Sequence, residues 1–283
     1  MVTSTTPVII EAAINGNTTK SVNPSVPRTP QEIAECALEC LDRGAAIVHN
    51  HNDEPNVGGP ARHDPEPYAT AWREVLAVHP KALLHPTVRG MSPDAPIEDR
   101  YSHLVALHDA GILPMASADP GIVTIGPVLY GNSHADVAFM FEWCSARDLP
   151  VHVSVFEPGF LRAVLAHRKA GTLPRRVKVQ LYFGDRVPFG LPPTRAALDA
   201  YLSLLDGTGL QWMVGVMGGD VLGSGMAEWA IEAGGHVRVG LEDHFGRGNP
   251  SNEDLVVSAT KLVSALGREV ATSEQAYEIL SAR

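Results

Sequence analysis

Cysteine is scarce. Three in 283 residues, with Cys36 and Cys40 one helical turn apart and Cys144 in a separate helical stretch, argue against a disulfide-stapled scaffold and read as reduced core thiols. Apolar runs are short, none near the ~18 residues a membrane-spanning helix needs. The opening MVTSTTPVIIEAA has no basic segment ahead of its apolar run, which already contains Glu11, so no leader is expected and the cytoplasm is the expected compartment. Positive charge is also in deficit, with 22 Lys and Arg against 32 Asp and Glu and a net charge of -10. A nucleic-acid partner needs a basic surface and is not expected, and any phosphate must be held locally. No GxGxxG follows the first apolar run; that turn reads Asn15-Gly16-Asn17, which argues against a dinucleotide-binding open sheet.

What is present is alternation. Short apolar, β-branched runs at 8–14, 45–51, 82–88, 114–119, 151–157, 177–183, 211–217 and 236–242 alternate with amphipathic stretches. Such alternation predicts βα units and a parallel sheet. Helix punctuation agrees with it. Thr29 can N-cap, Pro30 takes the first helical position, Glu32 completes a capping box, and Gly111 closes a later helix. Eight units without sequence for a second domain predict a (β/α)8 barrel spanning residues 1–283 as one domain. A short extra C-terminal helix, EQAYEIL, should pack beneath the barrel or on a neighbouring subunit.

In such barrels the reactive groups gather at the C-terminal ends of the strands. Those ends collect Glu11, Asn15, His49, His51, His85, Thr87, Ser117, Asp119, Glu157, Asp185, Arg238, Glu242 and Asp243. Within AAIVHNH, His49 and His51 share one strand face about 7 Å apart by backbone rise. Glu242, ending the eighth run at about the height of His51, lies two strands away once the barrel closes. Two imidazoles and a carboxylate with a position left open form a catalytic zinc set, and Fe(II) or another divalent ion is the alternative. His63 and His244, in Gly/Pro-rich loops, read as surface groups, His152 as a core residue, and His236 as too far from the rim to be a ligand. Strict alternation puts Arg238 and Asp243 on opposite faces unless the strand bends or ends near Leu241.

The segments EAAINGNTTKSVNPSVPRTPQEIA, GAAIVHNHND, VSVFEPGF, GGHVRVGLED and GREVATSEQAYEIL resemble the β-keto acid cleavage enzyme family almost end to end. The resemblance implies a zinc-dependent (β/α)8 enzyme, a homo-oligomer and specifically a tetramer, that reacts a β-keto acid with acetyl-CoA to give acetoacetate and a new acyl-CoA. It places the zinc ligands on His49, His51 and Glu242, and an arginine–aspartate dyad on Arg238 and Asp243, with Asp243 as the base. Thr18, Thr87, Ser117, Glu157 and Asn15 are expected to meet the substrate. Departures from the family pattern concern specificity. Thr87 stands for a serine hydroxyl, with Arg89 adding charge, and Ser117 stands for a threonine. Thr18 stands where an acidic residue binds an amino group, so an amino-bearing keto acid is not the expected preference. The altered GDRVPFG and VMGGD turns leave the CoA-binding residues unassigned. A metal-dependent barrel hydrolase and a non-catalytic metal- or ligand-binding barrel are the competing classes.

Overall fold

The start of the first helix shows how local chemistry sets the frame. Thr29 accepts the Glu32 N–H at 3.2 Å, the Glu32 carboxylate accepts the Thr29 N–H at 3.1 Å, and Pro30 opens the helix. The computed structural model describes residues 6–55, 59–90, 95–125 and 128–281. The first five residues of the opening stretch lie outside that set.

The strands are β1 (Ile10–Ala13), β2 (Ile47–Asn50), β3 (Leu83–Pro86), β4 (Ala116–Ala118), β5 (Ile122–Ile125), β6 (Val128–Gly131), β7 (Val151–Val155), β8 (Val177–Gly184), β9 (Gln211–Met217) and β10 (His236–Val239). The helices are α1 (Pro30–Asp42), α2 (Glu66–Val78), α3 (Ile97–Arg100), α4 (Ser102–Asp109), α5 (His134–Ser145), α6 (Pro158–Ala170), α7 (Arg195–Leu205), α8 (Met226–Glu232), α9 (Asn252–Ala265) and α10 (Ser273–Ser281). Eight strands form one parallel sheet in the order β3-β2-β1-β10-β9-β8-β7-β4, the circular order of a (β/α)8 barrel. Among the described residues β3 and β4 share no backbone ladder. Side chains bridge them instead, Ser117 Oγ donating to the Pro86 carbonyl at 2.6 Å and lying 2.8 Å from His85 Nδ1.

Period two sorts the strands. Ile10, Ala12, Val48, Leu84, Val153, Val179, Leu181, Val214 and Val237 face outward into one apolar cluster with helix residues such as Ile33, Leu104 and Phe160. The barrel floor is a second cluster, in which Ile9, Ile47, Leu83, Met115 and Met213 meet Ile279 and Leu280 of α10. The C-terminal helix therefore packs beneath the barrel. Burying those two side chains is worth about 2 kcal/mol each. Above the floor the interior is polar: Glu11, His85, His152, Lys178 and Arg238 are all at most 2 % exposed. Among the described residues no helix is long and apolar enough to cross a membrane.

Two features depart from the expected pattern. The stretch after β4 forms an antiparallel hairpin, β5 with β6, which the alternation rule does not mark. The expected strand 236–242 ends at Val239.

Candidate functional site

That early strand end builds the site. Gly240 adopts φ +133°, and a Cβ there would lie 2.1 Å from the Ala13 carbonyl oxygen, so the position demands glycine. The chain then turns, the His244 N–H donating to the Gly240 carbonyl at 3.1 Å, and Leu241–Asp243 fold back over the barrel. Arg238 and Asp243 thereby come onto the same side. Arg238 Nε donates to Asp243 Oδ2 at 2.7 Å and Nη2 to Oδ1 at 3.3 Å. The same guanidinium reaches Glu11 through Nη1 at 2.9 Å and Glu242 through Nη2 at 3.0 Å, while Lys178 donates to the other oxygen of Glu11. One buried cation thus ties three carboxylates together, at the centre of a network in which each charge has a partner.

The same turn carries Glu242 to the histidines. His49 Nε2 is 3.2 Å from Glu242 Oε2, and His51 Nε2 is 3.5 Å from Oε1. One ligand atom from each of the three lies within 4.8 Å of the others, and ligands at 2.0–2.1 Å from a tetrahedral zinc lie roughly 3.3 Å apart, so a small inward adjustment would close the set on one ion. Gly16 admits the carboxylate: at φ +50°, a Cβ on it would sit 2.2 Å from Glu242 Cγ. Asn15 is not on the cavity wall and holds the His51 main chain, its Oδ1 accepting the His51 N–H at 2.8 Å and its Nδ2 donating to the His51 carbonyl at 3.1 Å.

Electrostatics agree with a cation between the three groups. Burial pushes His49 well below the ordinary imidazole value, so the ring is neutral. When Nδ1–H donates to the His85 carbonyl, 3.1 Å away, the Nε2 lone pair points at a carboxylate oxygen. Two acceptors facing each other repel unless a cation lies between them. Glu242 Oε2 and His51 Nδ1 are buried without a hydrogen-bond partner among the described residues. Burial raises the Glu242 carboxyl, but the charged surroundings, the Arg238 guanidinium foremost, outweigh it and hold it well below its usual range. Asp243 goes the other way, because burial outweighs Arg238 and Glu242 adds like charge. A second grouping, Glu11, His85 and His152, also brings ligand-type atoms together. Its carboxylate is already neutralised by Lys178 and Arg238.

A cavity of about 630 Å³ opens above the set, lined by His49, His51 and Glu242 with Thr18, Thr87 and Ser117. Arg238 and Asp243 lie behind Glu242 and line only a narrow pocket next to it. Glu157 is not on the cavity wall; it accepts the Gly190 N–H at 2.9 Å. Arg89 is turned into the backbone of Gly59 and Gly90, so its charge does not reach the cavity. His63 is not a surface group: it is 2 % exposed, its ring 5.2 Å from that of His103. His244 is half-buried. His152 is buried as a core residue would be, yet it also lines the cavity. His236 stays on the barrel floor, accepting the Ile9 N–H at 3.1 Å. Residue patterns gave no warning of the wall formed by Tyr130, Ser154, Phe156 and Tyr182, because Tyr130 arrives on the unmarked hairpin and the others sit within apolar strands.

A near-closed eight-stranded parallel barrel with its polar groups at the C-terminal mouth places the protein among the (β/α)8 enzymes. Residues 7–281 match the family described as beta-keto acid cleavage enzyme, and the chain belongs to it. It is 29% identical to the 3-keto-5-aminohexanoate cleavage enzyme of Fusobacterium nucleatum, over 97% of each chain. It is 28% identical to the 3-oxoadipate:acetyl-CoA acetyltransferase of Cupriavidus necator, covering 98% of this chain and 95% of that one. The 3-dehydrocarnitine:acetyl-CoA trimethylamine transferase of Rhizobium meliloti is 26% identical, with 95% and 94% covered. Among solved structures, ObcA in complex with a C4-CoA adduct and oxalate has the same fold, with a TM-score of 0.71 at 18% identity over 91% of this chain and 67% of that one.

Proposed function

We propose that this enzyme condenses a β-keto acid, R–CO–CH2–COO⁻, with acetyl-CoA to give acetoacetate and R–CO–SCoA, using a divalent cation, zinc, held by His49 Nε2, His51 Nε2 and Glu242. The observation that carries the reading is the convergence of those three side chains at the mouth of a large cavity, in a chain of this family. When bound, zinc would supply Lewis-acid polarisation to the carboxylate and keto oxygens of the substrate. The His85 carbonyl orients the His49 ring through Nδ1, and Asn15 fixes the main chain that carries His51.

Asp243 serves as the base that takes a proton from the carbon between the two carbonyls, and burial, by raising its pKa, makes it a stronger base than an exposed carboxylate. Because it lies behind Glu242, its carboxylate must rotate toward the cavity, and the 3.3 Å Nη2–Oδ1 bond is the weaker of its two holds on Arg238. Arg238 anchors the carboxylate through the shorter Nε bond about which it turns, and Glu11 with Lys178 keeps Arg238 in place. Thr18, Thr87 and Ser117 meet the substrate from the cavity wall. Likeness to the family supports a cytoplasmic homo-oligomer, a tetramer, which light scattering checks.

The test is a reaction of zinc-loaded protein with acetyl-CoA and a panel of β-keto acids, read by mass spectrometry. Formation of acetoacetate together with a new acyl-CoA is expected. Substrate breakdown that leaves acetyl-CoA untouched points to a hydrolase, and no turnover of any keto acid points to a binding protein; either overturns the reading.

A further inference from the structure

The metal-ligand set occupies one side of the barrel mouth. His49 and His51 end β2 and Glu242 follows β10, the two strands flanking β1. In the circular strand order the strand opposite β1 is β7, next to β4. There Asp119, Ser154 and Tyr130 line the same cavity. Asp119 is 4 % exposed. It accepts a hydrogen bond from the Tyr130 hydroxyl and another from Ser154, whose hydroxyl lies 3.1 Å from His152 Nε2. Among the described residues no ion pair satisfies Asp119, and neither Lys nor Arg lines the cavity.

An ionised carboxylate offers about four acceptor sites, and two hydroxyl donors leave capacity unused on a group water barely reaches. A carboxylate so buried strongly favours a ligand that brings a donor or a positive charge and repels one that brings a second anion. A keto acid held at the metal set by its carboxylate and keto oxygens presents its far end to the rest of the cavity wall, where Asp119 is the one acidic group outside the ligand set among the described residues. Resting on the reaction proposed above, we infer that Asp119, set by Tyr130 and Ser154, determines specificity: it selects β-keto acids whose distal group donates a hydrogen bond, an ammonium or a hydroxyl, and rejects those ending in a second carboxylate. The ammonium partner missing at Thr18 is supplied from the opposite wall, which reverses the expectation drawn from Thr18 alone.

The experiment is isothermal titration of the zinc-loaded protein, without acetyl-CoA, with 5-amino-3-oxohexanoate, 5-hydroxy-3-oxohexanoate, unsubstituted 3-oxohexanoate and 3-oxoadipate. The donor-bearing acids should bind about ten- to a hundredfold more tightly than 3-oxoadipate, the scale of one charge-assisted hydrogen bond. In Asp119→Asn, which preserves shape, that ratio should narrow to about threefold. Equal or tighter binding of 3-oxoadipate by the unaltered protein, an unchanged ratio in Asp119→Asn, or no binding of any acid overturns the inference. Should the variant fail to fold, the ratio measured on the unaltered protein decides alone. If the acids bind with the expected ratio but adding acetyl-CoA yields no acyl-CoA, the proposed reaction falls and the specificity assignment stands.

Discussion

Replacing Gly16 by alanine should cripple the metal set while leaving the barrel folded. The added Cβ would lie 2.2 Å from Glu242 Cγ and 2.8 Å from its Cδ. Carbon atoms settle at about 3.5–4.0 Å, so Glu242 must retreat by more than roughly 1 Å. A metal ligand tolerates about 0.2 Å, and disturbing ligand orientation typically costs about 10- to 100-fold in affinity. The backbone adds its own cost, because φ +50° in a residue with a Cβ is worth about 1–2 kcal/mol. Gly111→Ala separates the two effects: its φ is +71° and nothing lies within 4 Å of the new Cβ. Both variants should melt a few degrees lower, but only Gly16→Ala should lose zinc affinity, measured by competition with a chromophoric chelator. Zinc affinity in Gly16→Ala within twofold of the unaltered protein, or an equal loss in Gly111→Ala, would refute the placement of Glu242 as a ligand.

Asp243→Asn should lower the rate by about 10²- to 10⁴-fold with zinc content unchanged by elemental analysis, and a loss under tenfold would remove Asp243 as the base. Lys178→Met leaves Glu11 with Arg238 alone in a fully buried site. It should cost about 3–5 kcal/mol and lower Tm by roughly 10 °C, and a calorimetric shift below about 3 °C would mean Lys178 carries little of the load. Burial pushes His236 and His103 down to about 3, while unfolded chains protonate at the ordinary 6.5, so the unfolded state binds the extra protons. Stability is therefore full above about pH 6.5 and falls on acidification by about 1.4 kcal/mol per pH unit for each, about 4 kcal/mol for the pair at pH 5. Urea midpoints at pH 7.5 and 5.0 should show this, and His236→Gln should flatten the slope.

How far the site can be read from sequence depends on the distance over which each feature is determined. The Thr29 capping box involves residues three apart, and the sheet follows the period-two runs, so both are legible. His49 and His51 share a face by strand geometry, and the barrel rule brings Glu242 to them from the other end of the chain. The strand end at Gly240 was harder to see. VRVGLE reads as a continuing strand until the Ala13 carbonyl, more than 200 positions away, is known to occupy the space a side chain would need. Asp119 is legible as a strand-end acid, but Tyr130 and Ser154 give no pattern individually, and the three acquire a joint role only when a hairpin, β7 and the end of β4 meet.

From the sequence alone follow the barrel class, the helix starts and the residue types able to hold a divalent cation, since each rests on periodicity or on contacts within a few positions. The tertiary structure alone decided how the turn at Gly240 brings Asp243 round to Arg238, that neither lines the main cavity, and that Asp119, with no ion pair among the described residues, shares that cavity with the metal set. Those outcomes depend on which groups share a buried volume. In such a volume water cannot screen charges, so the energy of each charge is set by neighbours that sequence spacing does not reveal.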